Sequence, residues 1–441
     1  MTNQEEMANK NMIIRTGHSI FKNLLGEIKR IPFRGIKNAS YLTIGNLAVE
    51  LISIVGFIYI ARKLGAQNYG VYMTVGTFVG MFDLLLLEGI NKAVIREGSK
   101  DLANMHAKLE KVIGIRNALI VGAIILCIGS SFFAPYDAKT RIYILLFCSQ
   151  LIYLGLRGFL GTIFQASEKM HYIPLFGVFN RILFYGLCIA FLQLGFGLTA
   201  IFLIALFSNF ATLFLSFRTS RKIVKFTFFS KIQIDKPILI PGLIFSLNSF
   251  LVYLSTRVDI LMISWLGTPT DVGVYGVAFR IAEQGVMVRN MAMTAFFPIF
   301  IKRFQSGKVE GKRLIRISLF FFIGVFLAAC LASLFVEDLV PLLFGPQYKA
   351  SGYILKVLIF YVAFAWANLP FTTAAQATHN EKMLLITSGI FGGLNIALNY
   401  VFFLIYGLIG IAYSTLVVYF FGTFSVSFLC YKVMKRKGYL A

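Results

Sequence analysis

The chain has 441 residues, 58% hydrophobic and only 14% charged, with a formal net charge of +23 and a mean hydropathy of +0.77. A soluble domain carries about 25% charged residues, so this composition excludes a water-soluble globule and points to an integral membrane protein. In a soluble chain such a positive surplus would suggest nucleic acid; here its placement along the sequence follows membrane topology instead.

Residues 1–40 form a basic N-terminal segment with no uninterrupted apolar core, so no signal peptide is expected. Ile20, Phe21, Leu24, Leu25, Ile28 and Ile31 recur at three- and four-residue intervals, with Lys22, Lys29 and Arg30 between them. Two readings stay open: an amphipathic helix lying on the membrane surface, or a disordered tail.

Apolar runs of membrane-spanning length follow, each about 20 residues or longer. They lie near 41–61, 69–95, 112–133, 141–163, 172–194 and 197–217, then near 238–266, 272–300, 314–336, 352–373, 383–404 and 407–431. The runs are continuous rather than alternating, which excludes barrel strands. The expected fold is an all-α integral membrane protein of about twelve transmembrane helices. Its domains are an N-lobe (41–217), a basic linker (218–237), a C-lobe (238–431) and a basic tail (432–441). Connections alternate in charge: those on the side of the N-terminus hold 28 Lys and Arg, and the opposite set holds 5. Short basic loops stay in the cytoplasm, so both termini are expected there. Basic loops also suit anionic lipid, and no nucleic-acid partner is expected.

The two halves echo one another. Leu64-Gly65 matches Leu266-Gly267, and Gly70-Val71-Tyr72 matches Gly273-Val274-Tyr275. Further on, QASEKM (165–170) answers QATHNEKM (376–383), and GFGLTAI (195–201) answers YGLIGIA (406–412). Six spans return the chain to its starting side, so the lobes are expected to share one orientation. They would be related by a pseudo-two-fold axis along the membrane normal, with substrate held between them. In each lobe the Leu-Gly pair is expected to close the first hairpin, where glycine permits a tight reversal.

A charge at the bilayer centre costs ~3 kcal/mol or more unless paired or facing water. The spans nevertheless hold nine cations and five anions. Lys92, Arg116, Arg316 and Lys356 lie near span ends, where snorkelling to the interface is the simpler reading. Arg280, Arg257, Arg157, Arg181 and Arg289 are the candidates for a hydrated cationic cavity. Arg280 and Glu283 are three apart and share a helical face, whereas Arg257 and Asp259 point to different sides. Glu88 and Lys92 read as a local i,i+4 pair. Glu50, Asp83, Asp259 and Glu283 either balance the arginines or couple transport to an ion. A cationic cavity calls for an anion, and the planar fork of Arg suits phosphate.

Catalytic chemistry has no signature here. The five cysteines all sit in apolar spans and include no CxxC pair, so no disulfide framework is expected. The four histidines show no metal-ligand spacing. No triad, P-loop or dinucleotide fingerprint occurs, so no metal and no cofactor are expected.

The stretch ARKLGAQNYGVY (61–72), with EGINKAVIRE (88–97) after the second span, resembles the opening of the polysaccharide repeat-unit flippases. VDILMISWLGTPTDVGVYGVAFRIAEQ (258–284) resembles the matching start of their second lobe. These belong to the multidrug/oligosaccharidyl-lipid/polysaccharide exporter superfamily, and the likeness covers nearly the whole chain. It implies a transporter of undecaprenyl-pyrophosphate-linked glycan in the bacterial cytoplasmic (inner) membrane, working by alternating access and driven by an ion gradient. It also implies O-antigen, capsule or exopolysaccharide assembly, with a polysaccharide polymerase complex as a partner. The runner-up is a drug exporter of the same superfamily, for which an acidic pocket would be expected. Lipid II flippases usually carry two additional helices, for which this chain has no room. A polymerase or ligase would be expected to present larger external loops.

Overall fold

The computed structural model describes residues 33–86, 90, 91, 95, 105–227, 230, 236–305, 311–378 and 380–437. Every regular element among them is a helix. The N-terminal amphipathic pattern, the Glu88–Lys92 pair and most of the 228–235 stretch lie outside the described residues.

In the first half, α1 (Phe33–Gly80) runs into a 3-10 helix (Met81–Leu86), followed by α2 (Met105–Phe133), α3 (Ala138–Phe147) and α4 (Ser149–Ala166). Then come α5 (Tyr172–Gln193) and α6 (Leu198–Arg221). The second half holds α7 (Lys236–Leu266), α8 (Pro269–Gln305), α9 (Gly311–Ser333) and α10 (Val336–Phe344). After a 3-10 turn (Pro346–Tyr348) it continues with α11 (Lys349–Ala367), α12 (Leu369–Ala377), α13 (Glu381–Tyr406) and α14 (Leu408–Arg436). Among the described residues nine helical segments are long and apolar enough to cross a membrane. The first, Ile44–Leu86, has 43 residues, and α7 and α8, with 31 and 37, cover the runs expected near 238–266 and 272–300.

The faces of these helices show why they need a bilayer. Phe133 is 93% exposed, Phe320 74% and Leu334 70%. Such side chains would be costly in water and are at no disadvantage against lipid tails.

Both duplicated Leu-Gly pairs close a hairpin, each with its own local backbone. At Gly65 the backbone adopts φ 75° and ψ 166°, a conformation open to glycine. The chain reverses there between two helical arms of α1, bringing the Phe57 and Tyr69 rings to 5.9 Å. At the second copy the helix stops at Leu266 and restarts at Pro269. There a reciprocal cap forms: the Asp271 carboxylate accepts from the Thr268 N–H (2.8 Å) and hydroxyl (2.7 Å), and the Asp271 N–H donates to Thr268 Oγ1 (3.2 Å). Pro269 follows the cap, where its missing N–H costs nothing. At the other echoed landmark, Gly195 (φ 87°) and Gly407 (φ 63°) both use left-handed backbone before α6 and α14.

Helices of residues 33–221 pack mainly on one another, as do those of 236–436, while α1 crosses to α8, α7 and α10. The α1–α8 crossing carries the repeat. A Cβ on Gly70 would overlap the Pro269 carbonyl oxygen, and one on Gly273 would overlap that of Ala66. Glycine is required at both positions because the two backbones touch. Around this crossing, two tyrosines reach between the halves. The Tyr348 hydroxyl donates to Ala61 O (2.9 Å), and the Tyr136 hydroxyl pairs with Ser264 Oγ (3.1 Å) while accepting from Trp265 Nε1 (3.0 Å). Arg62 donates to the carbonyls of Leu342 and Leu343, each at 3.4 Å, at the end of α10.

Candidate functional site

Just beyond the crossing, α1 presents Tyr69, Tyr72, Met73, Gly76 and Thr77 to a cavity of about 270 Å³. Its remaining lining comes from Phe57 and Ile60 on α1, Arg181 and Tyr185 on α5, Tyr253 and Arg257 on α7, and Arg280 on α8. The site therefore lies where the first half of the chain meets the second. Tyr253 spans that meeting, its hydroxyl donating to Thr77 O at 2.9 Å.

Three expected cavity arginines meet here: Arg181, Arg257 and Arg280. Glu283, one turn beyond Arg280, holds two of them. Its Oε1 lies 2.5 Å from Arg257 Nη2, and its Oε2 lies 3.6 Å from Arg280 Nη1. The side chains in these pairs stay 21–30% exposed, so the cluster is half-buried and reachable by solvent. The Arg257 guanidinium also sits 5.5 Å from the Phe279 ring centroid, a cation–π contact. Three guanidinium groups against one carboxylate leave the cavity with a positive surplus.

A second cavity, about 150 Å³, lies among the helices of the first half. Arg157, Gln150, Tyr153, Asn180 and Asn209 line it, and Arg181 and Tyr72 line both cavities. Arg157 therefore lies off the central cavity, in this adjoining one.

The other expected site residues lie elsewhere. Arg289 is held inside the second half, donating to Ala365 O (2.7 Å), Asn290 Oδ1 (3.0 Å) and Thr372 Oγ1 (3.3 Å). Asp259 is 3% exposed and lines neither cavity. It accepts from Tyr275 (2.7 Å), Asn399 (2.7 Å), Thr415 (2.8 Å) and Asn395 (3.1 Å). Glu50 and Asp83 are half-buried and line neither cavity. The snorkelling reading of Arg116 is corrected: it is 1% exposed and donates to Gly155 O (2.8 Å) and Asn91 Oδ1 (2.7 Å). Lys356 instead pairs with Glu337 at 2.6 Å, and Arg316 is exposed.

Residue-by-residue reading of the sequence passed over the four cavity tyrosines and the amides around Asp259. Asn395 and Asn399, four apart in an apolar run, were a usable signal, because a buried amide needs a partner. Pro135-Tyr136 and Pro346-Gln347-Tyr348 were another, repeating at the spacing of the duplicated landmarks.

Comparison with known proteins fits this architecture. Residues 36–304 match the family model described as polysaccharide biosynthesis protein, and residues 245–401 match the MatE model. A capsular polysaccharide biosynthesis protein of Staphylococcus aureus, CapF, is 23% identical over 368 residues, covering 80% of this chain and 89% of the relative. Among solved structures, the lipid II flippase MurJ in an inward closed conformation superimposes with a TM-score of 0.68 at 16% identity, covering 88% of this chain and 87% of that one. An inward-facing multidrug resistance MATE family transporter gives 0.69 at 15% identity, covering 90% and 99%. The first family match spans more than half of the sequence, and the chain therefore belongs to the polysaccharide biosynthesis protein family, as a transporter of the multidrug/oligosaccharidyl-lipid/polysaccharide exporter superfamily.

Proposed function

We propose that this protein is a flippase that carries undecaprenyl-pyrophosphate-linked oligosaccharide from the cytoplasmic to the outer leaflet of the bacterial cytoplasmic membrane. One observation carries the reading: Arg181, Arg257 and Arg280 share a cavity where the two chain halves meet. With Glu283 beside them, these cations have a surplus of two positive charges. A pyrophosphate linking lipid to sugar carries two negative charges, and planar guanidinium groups bind its oxygens in pairs. The curated relative, a capsular polysaccharide biosynthesis protein, supports a glycan cargo. A drug-exporting role is disfavoured, because a cationic pocket repels the cationic substrates that an acidic one would take.

On this reading the halves are six-helix lobes that rock about the site. Basic loops keep both termini in the cytoplasm, which turns the Gly70–Gly273 crossing outward as the closed gate. A polysaccharide polymerase then receives the cargo beyond that gate.

Asp259 serves ion coupling in the same proposal. Beside its carboxylate, Asn399 Oδ1 is buried with no hydrogen-bond donor among the described residues. An unsatisfied acceptor next to a buried carboxylate suits a proton or a small cation. The decisive experiment is Arg280→Ala in a deletion strain, with membrane abundance verified. Polysaccharide export at least tenfold lower supports the reading; unchanged export removes Arg280 from the site.

A further inference from the structure

The cavity within the first half has chemistry of its own. Among the described residues its lining holds Arg157 and Arg181 and no Asp or Glu. Among the described residues no carboxylate pairs with either guanidinium; Arg157 only lies 5.6 Å from the Tyr153 ring centroid. This differs from the central cavity, where Glu283 holds Arg257 and Arg280.

A directional relay of amides adds a further donor. Asn180 Nδ2 donates to Asn209 Oδ1 at 3.2 Å, and Asn209 Nδ2 donates to the Gln150 carbonyl oxygen. Asn180 Nδ2 is anchored behind by Ser208 O (3.2 Å) and Thr212 Oγ1 (3.1 Å). With Asn209 on one lone pair of its oxygen, Gln150 keeps both N–H groups to offer a ligand. The cavity thus presents two guanidinium groups and an amide donor, a set that selects an acceptor-rich anion.

The duplication sharpens the contrast. Ala66 and Pro269 occupy equivalent places at the helix crossing, and the same spacing puts Gly56 opposite Asp259. The second half has an acid among amides and hydroxyls; the first half has cations among amides. The two polar clusters have opposite polarity.

We propose that the cavity lined by Arg157, Gln150 and Asn180 is a subsite for a carboxylate-bearing sugar, of the uronic acid class, on the transported glycan. The inference rests on the reading that the central cavity takes the pyrophosphate. Charge matching leads to it: two surplus positive charges in the central cavity meet the pyrophosphate, and Arg157 remains for one further anion. Arg181 and Tyr72, which line both cavities, make the two sites adjoining. One cargo, phosphate at one end and acidic sugar next to it, fills both.

The test uses the purified full-length protein in detergent. Glucuronate and glucose binding are compared by saturation-transfer NMR, and geranyl pyrophosphate is titrated separately. Glucuronate is expected to give a signal at least fivefold stronger than glucose. Arg157→Gln and Gln150→Glu are each expected to abolish it while leaving geranyl pyrophosphate affinity within twofold. Gln150→Glu keeps the acceptor for Asn209 and so guards against misfolding in the first variant; unchanged melting temperatures check both. Arg280→Gln is expected to do the opposite, weakening geranyl pyrophosphate at least tenfold and sparing glucuronate. Equal signals from the two sugars, retention of glucuronate in both variants, or its full displacement by equimolar inorganic phosphate would overturn the subsite. Failure of geranyl pyrophosphate to bind, with glucuronate binding intact, would instead sink the central-cavity reading.

Discussion

The backbone of Gly70 lies directly against that of Gly273, each glycine standing where any side chain would overlap a carbonyl oxygen of the other helix. The repeated Gly-Val-Tyr therefore meets its own copy. Ala66 faces Gly273 and Pro269 faces Gly70, a reciprocal contact of the kind two-fold related surfaces make.

Substituting either glycine should force α1 and α8 apart. Overpacking costs about 1–3 kcal/mol, and here the obstacle is backbone, which cannot rotate away. Gly70→Val is expected to lower export at least tenfold and to make a cysteine at Tyr72 reactive to impermeant thiol reagent from outside. An inert cysteine with normal export would show that the crossing does not gate.

The two tyrosine bridges predict a graded effect. A single neutral hydrogen bond contributes about 0.5–1.5 kcal/mol, so Tyr348→Phe, which loses one bond, should shift a two-state equilibrium roughly three- to tenfold toward opening at the Gly65 end. Tyr136→Phe, which loses two, should shift it by about the square of that. The double variant should multiply the two shifts, because the bridges share no partner. Spin-label distances across the crossing, for instance between positions 134 and 343, would read the populations; identical distributions in the variants contradict the prediction.

Asp259→Asn separates coupling from folding. The replacement keeps the shape while removing the charge that four donors surround. Export is expected to lose its dependence on the proton or sodium gradient. Asp259→Leu should unfold the second half, since it strands those donors at about 1–3 kcal/mol each. Gradient-dependent export in the Asn variant would assign Asp259 a purely structural role.

Glu283→Gln should leave Arg257 and Arg280 without their shared anion. Geranyl pyrophosphate binding to the purified protein is then expected to tighten several-fold, with a steeper dependence on salt, as screening acts on exposed charge. Weaker binding would mean that Glu283 is needed to aim the arginines.

A cysteine placed at Ser230, within the basic linker, should resist impermeant thiol labelling in intact cells and react in inverted vesicles. Efficient labelling of intact cells would reverse the orientation on which the outward gate depends.

Composition alone determined the membrane class, because no chain with so few charges covers itself in water. The length and continuity of the apolar runs determined that the body is helical. The duplicated glycines marked where the halves correspond. Neighbours were beyond its reach. In a bilayer the face against lipid is as apolar as the face against protein, so Phe133 at 93% exposure and Phe164 at 1% read alike. Hydrophobic periodicity, which orients helices in soluble proteins, then reports little. Nine buried-looking charges were visible as cations, yet only packing decided that Arg181, Arg257 and Arg280 share a chamber. The same packing tied Arg289 and Arg116 to carbonyl oxygens and enclosed Asp259 in amides and hydroxyls. Those assignments depend on what stands opposite each side chain, and that is a property of the assembled helices.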